Sequence, residues 1–230
     1  MDGIVLVDKP AGWTSMDVCA HLRGVLHERH IGHTGTLDPN ATGLLVVLTG
    51  KGTKAAKYAE NDVKEYSARL RLGMATDTQD IWGTALENNG EVRTKEEIES
   101  VLRAFRGPIM QLPPMYSAIK IRGKKLYEIA RRGGDVPREP RPVTIYRLDV
   151  TDRDEAGDWG LEIECSKGTY IRTLCADIGA ALGCGGCMSA LRRVRAGRFT
   201  ISQAHTLEEI RSAPEGCVLP LELITQGGQA

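Results

Sequence analysis

In the segment Gly32-His-Thr-Gly-Thr-Leu-Asp-Pro-Asn-Ala-Thr-Gly43, one carboxylate, Asp38, stands among glycines and small hydroxyls directly before the apolar run Leu44–Leu48. Glycine lets backbone approach a ligand closely, and a buried run behind the loop gives the acid a rigid mount. A carboxylate held this way can serve as a nucleophile or a base. Read in isolation, Asp38-Pro39 is more often a plain turn. Other suggestive strings lack their partners. Gly50-Lys51 has Leu45 where a phosphate-binding loop needs its first glycine, and Gly52 where it needs Ser or Thr. Ser117-Ala-Ile-Lys120 fits S-x-x-K without the Lys-Thr-Gly and Ser-Asp-Asn companions of an acylase. His27, His30 and His33 recur every third residue, and Cys184-x-x-Cys187 has no second cysteine pair at zinc-site spacing, so no metal is expected. Gly183-Cys-Gly-Gly186 fits an RNA-clamping GXXG, a pattern too common to count.

The elements that must hold Asp38 are legible from capping and periodicity. Gly3–Asp8 reads as a buried strand and Lys9-Pro-Ala-Gly12 as a turn, after which Thr14 or Ser15 caps a helix with Val18, Leu22, Val25 and Leu26 on one face. Leu44–Leu48 is a strand, followed by a short Ala/Lys helix through Tyr58. Lys64–Leu72 alternates, placing Tyr66, Ala68, Leu70 and Leu72 inward. Thr94 and Glu97 form a capping box for a helix that Gly107-Pro108 stops. Strands are expected at Met115–Ile121 and Val143–Thr151 around a basic helix Lys124–Arg132, with Trp159–Cys165 pairing with the second strand. Interspersed strands and helices without regular alternation favour an α+β fold with a mixed, mainly antiparallel sheet.

The 230 residues carry 30 basic and 30 acidic side chains. The zero total conceals blocks: Lys120–Arg147 holds nine Lys/Arg against three acids, Met188–Arg198 four arginines and no acid, and Asp77–Glu99 and Asp149–Glu164 are acidic. Such segregation suits a protein that turns one face to a polyanion, although solvated alternating faces would read the same. No apolar run approaches the roughly 20 residues that span a bilayer. Six cysteines without a secretion signal suit reduced thiols, so a cytoplasmic protein with no membrane association is expected.

The loop GHTGTLDPNATGLL resembles the catalytic motif of the TruB family of tRNA pseudouridine synthases. Four more segments resemble the family in order: VDKPAGWTS (7–15), KEYSARLRLGMATDTQD (64–80), LPPMYSAIKIRGKKLYEIARRG (112–133) and CSKGTYIRTLCADIGAALG (165–183), followed by LRRVRAG (191–197). The resemblance implies a pseudouridine synthase fold, α+β, with a mixed, mainly antiparallel central sheet in two halves, flanking helices and an inserted RNA-binding lid. It implies a catalytic domain over 1–200 with the lid at about 120–141, no cofactor and no metal. Residues 201–230 form a short C-terminal segment in this reading, with Thr206 and Glu209 capping one helix and no PUA domain.

Carried over by position, Asp38 is the catalytic aspartate, Tyr66 the tyrosine that stacks on the target base and could move a proton, and Arg172 the arginine paired with the aspartate. Tyr170 and Leu191 correspond to pocket walls, and His33 to the histidine that holds the opened RNA loop. Lys120, Lys124, Lys125, Arg131 and Arg132 in the lid, with Arg192 and Arg193, would contact the RNA backbone. The implied activity is isomerisation of uridine 55 in the T-loop of tRNA by base flipping. The T-arm of tRNA is the partner, and a monomer needs no protein partner. A noncatalytic RNA-binding or tRNA-folding module and a nucleoside glycosidase are the rival readings. Asp77 and Asp80 would be a glycosidase's nearest second acids, and they read as structural.

Overall fold

Apolar residues fill Gly3–Lys9, and in the computed structural model of the chain, which describes residues 1–56, 63–88, 90, 93–121 and 123–225, they form β1, buried everywhere but at Asp8. The Lys9–Trp13 turn delivers the chain to α1 (Ser15–Val25). Thr14 Oγ1 accepts from Asp17 N at 3.0 Å and Asp17 Oδ2 from Thr14 N at 2.9 Å, a capping box that satisfies two end donors at once. After β2 (Ile31–His33), the loop carrying Asp38 leads into β3 (Thr42–Thr49). β3 pairs antiparallel with the whole of β1, from Gly3 opposite Thr49 to Lys9 opposite Gly43, and with β2. Where an Ala/Lys helix is expected, a 3-10 turn spans Gly50–Ala55; Tyr58 lies outside the described residues. β4 (Lys64–Leu72) alternates as its sequence requires, with Tyr66, Ala68 and Leu70 inward and Leu72 only half-buried.

The chain forms two compact units, Met1–Ser67 with Ala190–Ala230, and Ala68–Ser189, and it passes between them within β4 and again within β12. The second unit continues with a hairpin, β5 (Met74–Thr76) and β6 (Ala85–Asn88), then helix α2 (Lys95–Leu102), capped by Thr94 and Glu97, and β7 (Gly107–Gln111). Gly107-Pro108 thus ends one element and begins the next. A small hairpin, β8 (Lys120–Ile121) and β9 (Lys124–Lys125), precedes the five-residue α3 (Leu126–Ala130). The strand expected over Met115–Ile121 is therefore confined to Lys120–Ile121, and the helix expected over Lys124–Arg132 is shortened to Leu126–Ala130. Ser117 N already bonds to Met115 O, and Gly133 N and Gly134 N close α3 on Ala130 O and Ile129 O. β10 (Arg141–Arg153) pairs antiparallel with β7 and with β11 (Trp159–Cys165), as expected of the latter. The order here is β4, β11, β10, β7.

Helix α4 (Ile171–Ala181) follows β11, and β12 (Gly186–Ala196) returns the chain to the first unit. There β14 (Val218–Leu219), β1, β3 and β12 lie in order, with β13 (Phe199–Thr200) on β12. The β3–β12 contact is parallel and brief, Thr42 opposite Arg192 and Gly43 opposite Arg193. Each half is thus mainly antiparallel, and that one junction makes the sheet mixed. Gly43 has φ +96°, and a Cβ there would lie 2.3 Å from Arg193 O, so only glycine lets these backbones meet. Ile4, Leu6, Leu44, Val46, Leu48 and Phe199 form the core beneath.

Candidate active site

Asp38 is half-buried on a turn closed by Ala41 N donating to Asp38 O at 3.1 Å. Both of its neighbours are gripped by the segment linking β1 to α1. Ser15 Oγ accepts from Leu37 N at 2.9 Å and donates to Leu37 O at 3.1 Å. On the other side, Pro39 O accepts from Gly12 N at 2.9 Å and from Lys9 Nζ at 2.9 Å. Lys9 is wholly buried, and its ammonium also donates to Pro10 O at 2.8 Å and Trp13 O at 2.6 Å. Burial pushes the Lys9 pKa down to about 8; the Asp38 carboxylate works against that fall and the Arg193 guanidinium with it. The carboxylate therefore sits between two residues whose backbone is tied to a second chain segment, which limits how far it can move.

A second clamp comes from β12. Arg193 is 2% exposed and donates from Nε to Leu44 O at 2.7 Å and from Nη2 to Gly35 O at 3.0 Å. Its expected contact with the RNA backbone is corrected accordingly, because a guanidinium only 2% exposed and held on two backbone carbonyls is out of a phosphate's reach. Arg192 lies nearer the surface and makes a bidentate pair with Asp8, Nη1–Oδ1 3.1 Å and Nη2–Oδ2 2.7 Å. Arg195 pairs with Glu65 at 2.6 Å. The arginine cluster is thus largely internal bracing. Thr42 Oγ1 donates to the Leu191 carbonyl at 3.4 Å, which brings Leu191 to the same loop, and Tyr66 is 7% exposed on β4. His33 is partly buried at the loop's entry, with Nδ1 unpartnered among the described residues; burial, then the Arg193 charge, holds its pKa below the usual histidine value.

In the second unit the first turn of α4 presents Arg172, 4% exposed, with Tyr170 capping the helix. Arg172 Nη1 donates to Thr78 O and Nη2 to Tyr116 O, both at 2.9 Å, and Nε lies 4.0 Å from Asp80 Oδ2. Gln111 holds Tyr170 by both backbone groups, accepting from its N at 2.8 Å and donating to its O at 3.0 Å. Two rigid loops therefore aim one guanidinium. In the segment expected to form a lid, Lys120, Lys124, Arg131 and Arg132 are exposed and Lys125 is half-buried. Tyr127 lies between two cations, with Lys125 Nζ 5.4 Å and Arg131 5.3 Å from its ring.

Lys9, Ser15, Gln111 and Asp80 are the functional supports that side-chain type alone did not single out. Their signal lay in position: Lys9 and Ser15 fall inside VDKPAGWTS, and Asp80 ends TDTQD. All six cysteines are buried, and the described residues contain no cluster of three or more His, Cys, Asp or Glu side chains arranged to hold a metal. No helix among the described residues is long and apolar enough to cross a membrane.

Comparison with known proteins bears on the whole of this arrangement. Residues 23–171 match the TruB family pseudouridylate synthase N-terminal domain, and residues 172–223 match the tRNA pseudouridylate synthase B C-terminal domain. The chain is 44% identical over 224 residues to tRNA pseudouridine synthase B of Alkaliphilus oremlandii, covering 96% of this chain and 75% of that protein. It is also 44% identical over 212 residues to the protein of the same name from Clostridium kluyveri, covering 92% and 73%. Among solved structures, a Cbf5-Nop10-Gar1 complex superposes with a TM-score of 0.76 at 30% identity, over 96% of this chain and 61% of that one. An H/ACA RNP bound to a substrate RNA containing 2'-deoxyuridine gives 0.72 at 27% identity, over 96% and 60%.

Proposed function

Given that the chain belongs to the TruB family of pseudouridylate synthases, we propose that it isomerises uridine to pseudouridine at position 55 in the T-loop of tRNA, acting alone and without a cofactor. The reaction breaks the N1–C1′ glycosidic bond, turns the uracil and joins C5 to C1′. A proton leaves C5 and one is gained at N1, with no net redox change. The observation that carries the reading is Asp38 on a turn clamped at Leu37 and Pro39. A carboxylate so fixed can attack C1′ or C6, or assist glycal formation, and each route uses it ionised.

In this reading Arg172, held by Thr78, Tyr116 and Asp80, is the arginine that the family resemblance pairs with the aspartate. A uridine stacked in a folded loop must be extruded before any group can reach it, and Tyr66 supplies an aromatic face to replace the lost stacking. Its hydroxyl is the candidate for moving a proton. In this reading Tyr170 and Leu191 are the family's pocket-wall positions, and His33, whose pKa burial holds below the usual histidine value, is the residue that meets the opened loop. Lys120, Lys124, Lys125, Arg131, Arg132 and the half-exposed Arg192 take phosphates without reading sequence. Residues 1–200 form the catalytic domain in this reading.

The test is to incubate the purified chain, without metal, nucleotide or other protein, with an unmodified tRNA transcript and to map pseudouridine. Modification at position 55 is expected, lost when uridine 55 is replaced. Asp38→Asn should abolish turnover while keeping RNA affinity within several-fold. Free uracil as product would support a glycosidase instead, and full activity in Asp38→Asn would refute the assignment.

A further inference from the structure

The loop that aims Arg172 carries an aromatic ring that nothing so far uses. Residues 76–84 are pinned at many points. Asp77 and Thr84 exchange two bonds, Thr84 N to Asp77 Oδ1 at 2.7 Å and Asp77 N to Thr84 O at 3.1 Å. Asp80 Oδ1 accepts from Thr78 Oγ1 at 2.7 Å and from Trp82 N at 3.1 Å. Gln79 adopts φ +65°, unfavourable for a side-chain-bearing residue, and is held there by Met188 N on its carbonyl at 3.0 Å and by Thr173 Oγ1 on Oε1 at 2.7 Å. Ile81 N bonds to Met188 O at 3.0 Å. On this stiff turn Trp82 is 51% exposed. A ring of that size, half in water on a fixed mount, presents a face that a flat ligand can cover.

We propose that Trp82 is a further RNA-binding residue, a platform on which an unpaired base of the substrate RNA stacks beside the Arg172 end of the site. The inference rests on the reading of the chain as an RNA-modifying enzyme and adds a contact to it. Three observations favour a base as the occupant. The same loop supplies both the Thr78 carbonyl and the Asp80 carboxylate to Arg172, so RNA that reaches Arg172 lies within a few residues' length of the indole. Asp77 and Asp80, both before Trp82 in the loop, each accept from donors within the loop, so the indole is the exposed aromatic side chain this turn offers to a base. Extruding a nucleotide from a loop also unstacks its neighbours, and an aromatic face is the sequence-tolerant way to take up a base so exposed.

The experiment measures affinity of the full chain for an unmodified tRNA transcript at several salt concentrations, together with turnover at saturating RNA, for wild type, Trp82→Phe and Trp82→Ala. Trp82→Ala should weaken binding by about five- to hundredfold, the range of one lost base–aromatic stack, and Trp82→Phe by roughly threefold or less. The slope of affinity against salt should stay unchanged, because no phosphate contact is removed. Turnover at saturation should remain within about twofold. Intrinsic fluorescence gives an independent readout, since RNA should quench Trp82, and Trp82→Phe should lose that part of the quenching while Trp13 and Trp159 remain. Wild-type affinity in Trp82→Ala, or undiminished quenching in Trp82→Phe, overturns the proposal. A wild type that binds and modifies the transcript while Trp82→Ala matches it refutes only the platform, whereas a wild type that forms no pseudouridine refutes the functional reading.

Discussion

Replacing Lys9 by methionine keeps the length and apolar stem of the side chain and deletes the ammonium that ties Pro10, Trp13 and Pro39 together. Hydrogen bonds from a charged donor contribute about 1.5–3 kcal/mol each, so three amount to roughly 4.5–9 kcal/mol. Against this stands the cost of keeping the charge buried. A pKa lowered from 10.5 to about 8 corresponds to roughly 3.4 kcal/mol, which Lys9→Met also removes. The difference is a net loss of about 1–6 kcal/mol, with about 3 as the central value. For a chain of this size each 1 kcal/mol moves Tm by about 2–4 °C, so thermal unfolding near pH 7 should fall by roughly 6–12 °C. Turnover should fall as well, because Pro39 adjoins Asp38. The pH dependence supplies a second check. The folded-state pKa lies below the unfolded one, so between about pH 8 and 10.5 the unfolded chain holds the extra proton and Lys9 adds stability as pH rises. The wild-type advantage should widen through that window. A variant within about 1 °C of wild type at pH 7 with unchanged turnover would refute the view that this ammonium holds the catalytic turn.

Arg172→Lys keeps the charge and loses the planar fork that reaches Thr78 O and Tyr116 O together, so turnover under saturating RNA should fall at least roughly tenfold, read by pseudouridine mapping over time. His33 has a lowered folded-state pKa, so its contribution to stability is present above the unfolded value and is lost as pH falls; His33→Gln should flatten the acid limb of a denaturation profile below about pH 6.5. Arg71 grips Asp158 in a bidentate pair, Nε–Oδ1 2.7 Å and Nη2–Oδ2 2.9 Å, with Asp158 nearly enclosed. Arg71→Met strands that carboxylate and should cost about 2–4 kcal/mol in urea denaturation, discounted because Arg71 itself is partly solvated.

Elements with a local signature were read nearly to the residue. Thr14, Thr94 and Thr206 each cap a helix as their spacing to Asp17, Glu97 and Glu209 requires, and Trp159–Cys165 and Lys64–Leu72 alternate as half-buried strands must. α4 and β12 escaped because their patterns are set by tertiary burial. α4 buries Ile171 to Cys175 almost without a polar face, which erases the 3.6-residue period, and β12 threads three arginines through a strand. The singling out of Asp38 rests on its loop and the family resemblance together. That Arg193 braces the loop could not be read, since an arginine's sequence neighbours do not reveal whether its partner is a phosphate or a buried carbonyl.

The bracing of that loop also sets an order of events during synthesis. Lys9 and Ser15 precede Asp38 by a few dozen residues, whereas Arg193 meets Leu44 and Gly35 across separations of 149 and 158 residues, and Arg192 meets Asp8 across 184. A chain leaving the ribosome N-terminus first therefore has Asp38's turn gripped from one side while its second clamp is still untranslated. Contacts that span so much chain pay their loop-closure entropy late, and they make assembly of this region slow compared with its local helices. The nascent protein would pass through most of its synthesis with the Asp38 turn half-braced, acquiring the full bracing only when the strand that returns to the first unit is in place.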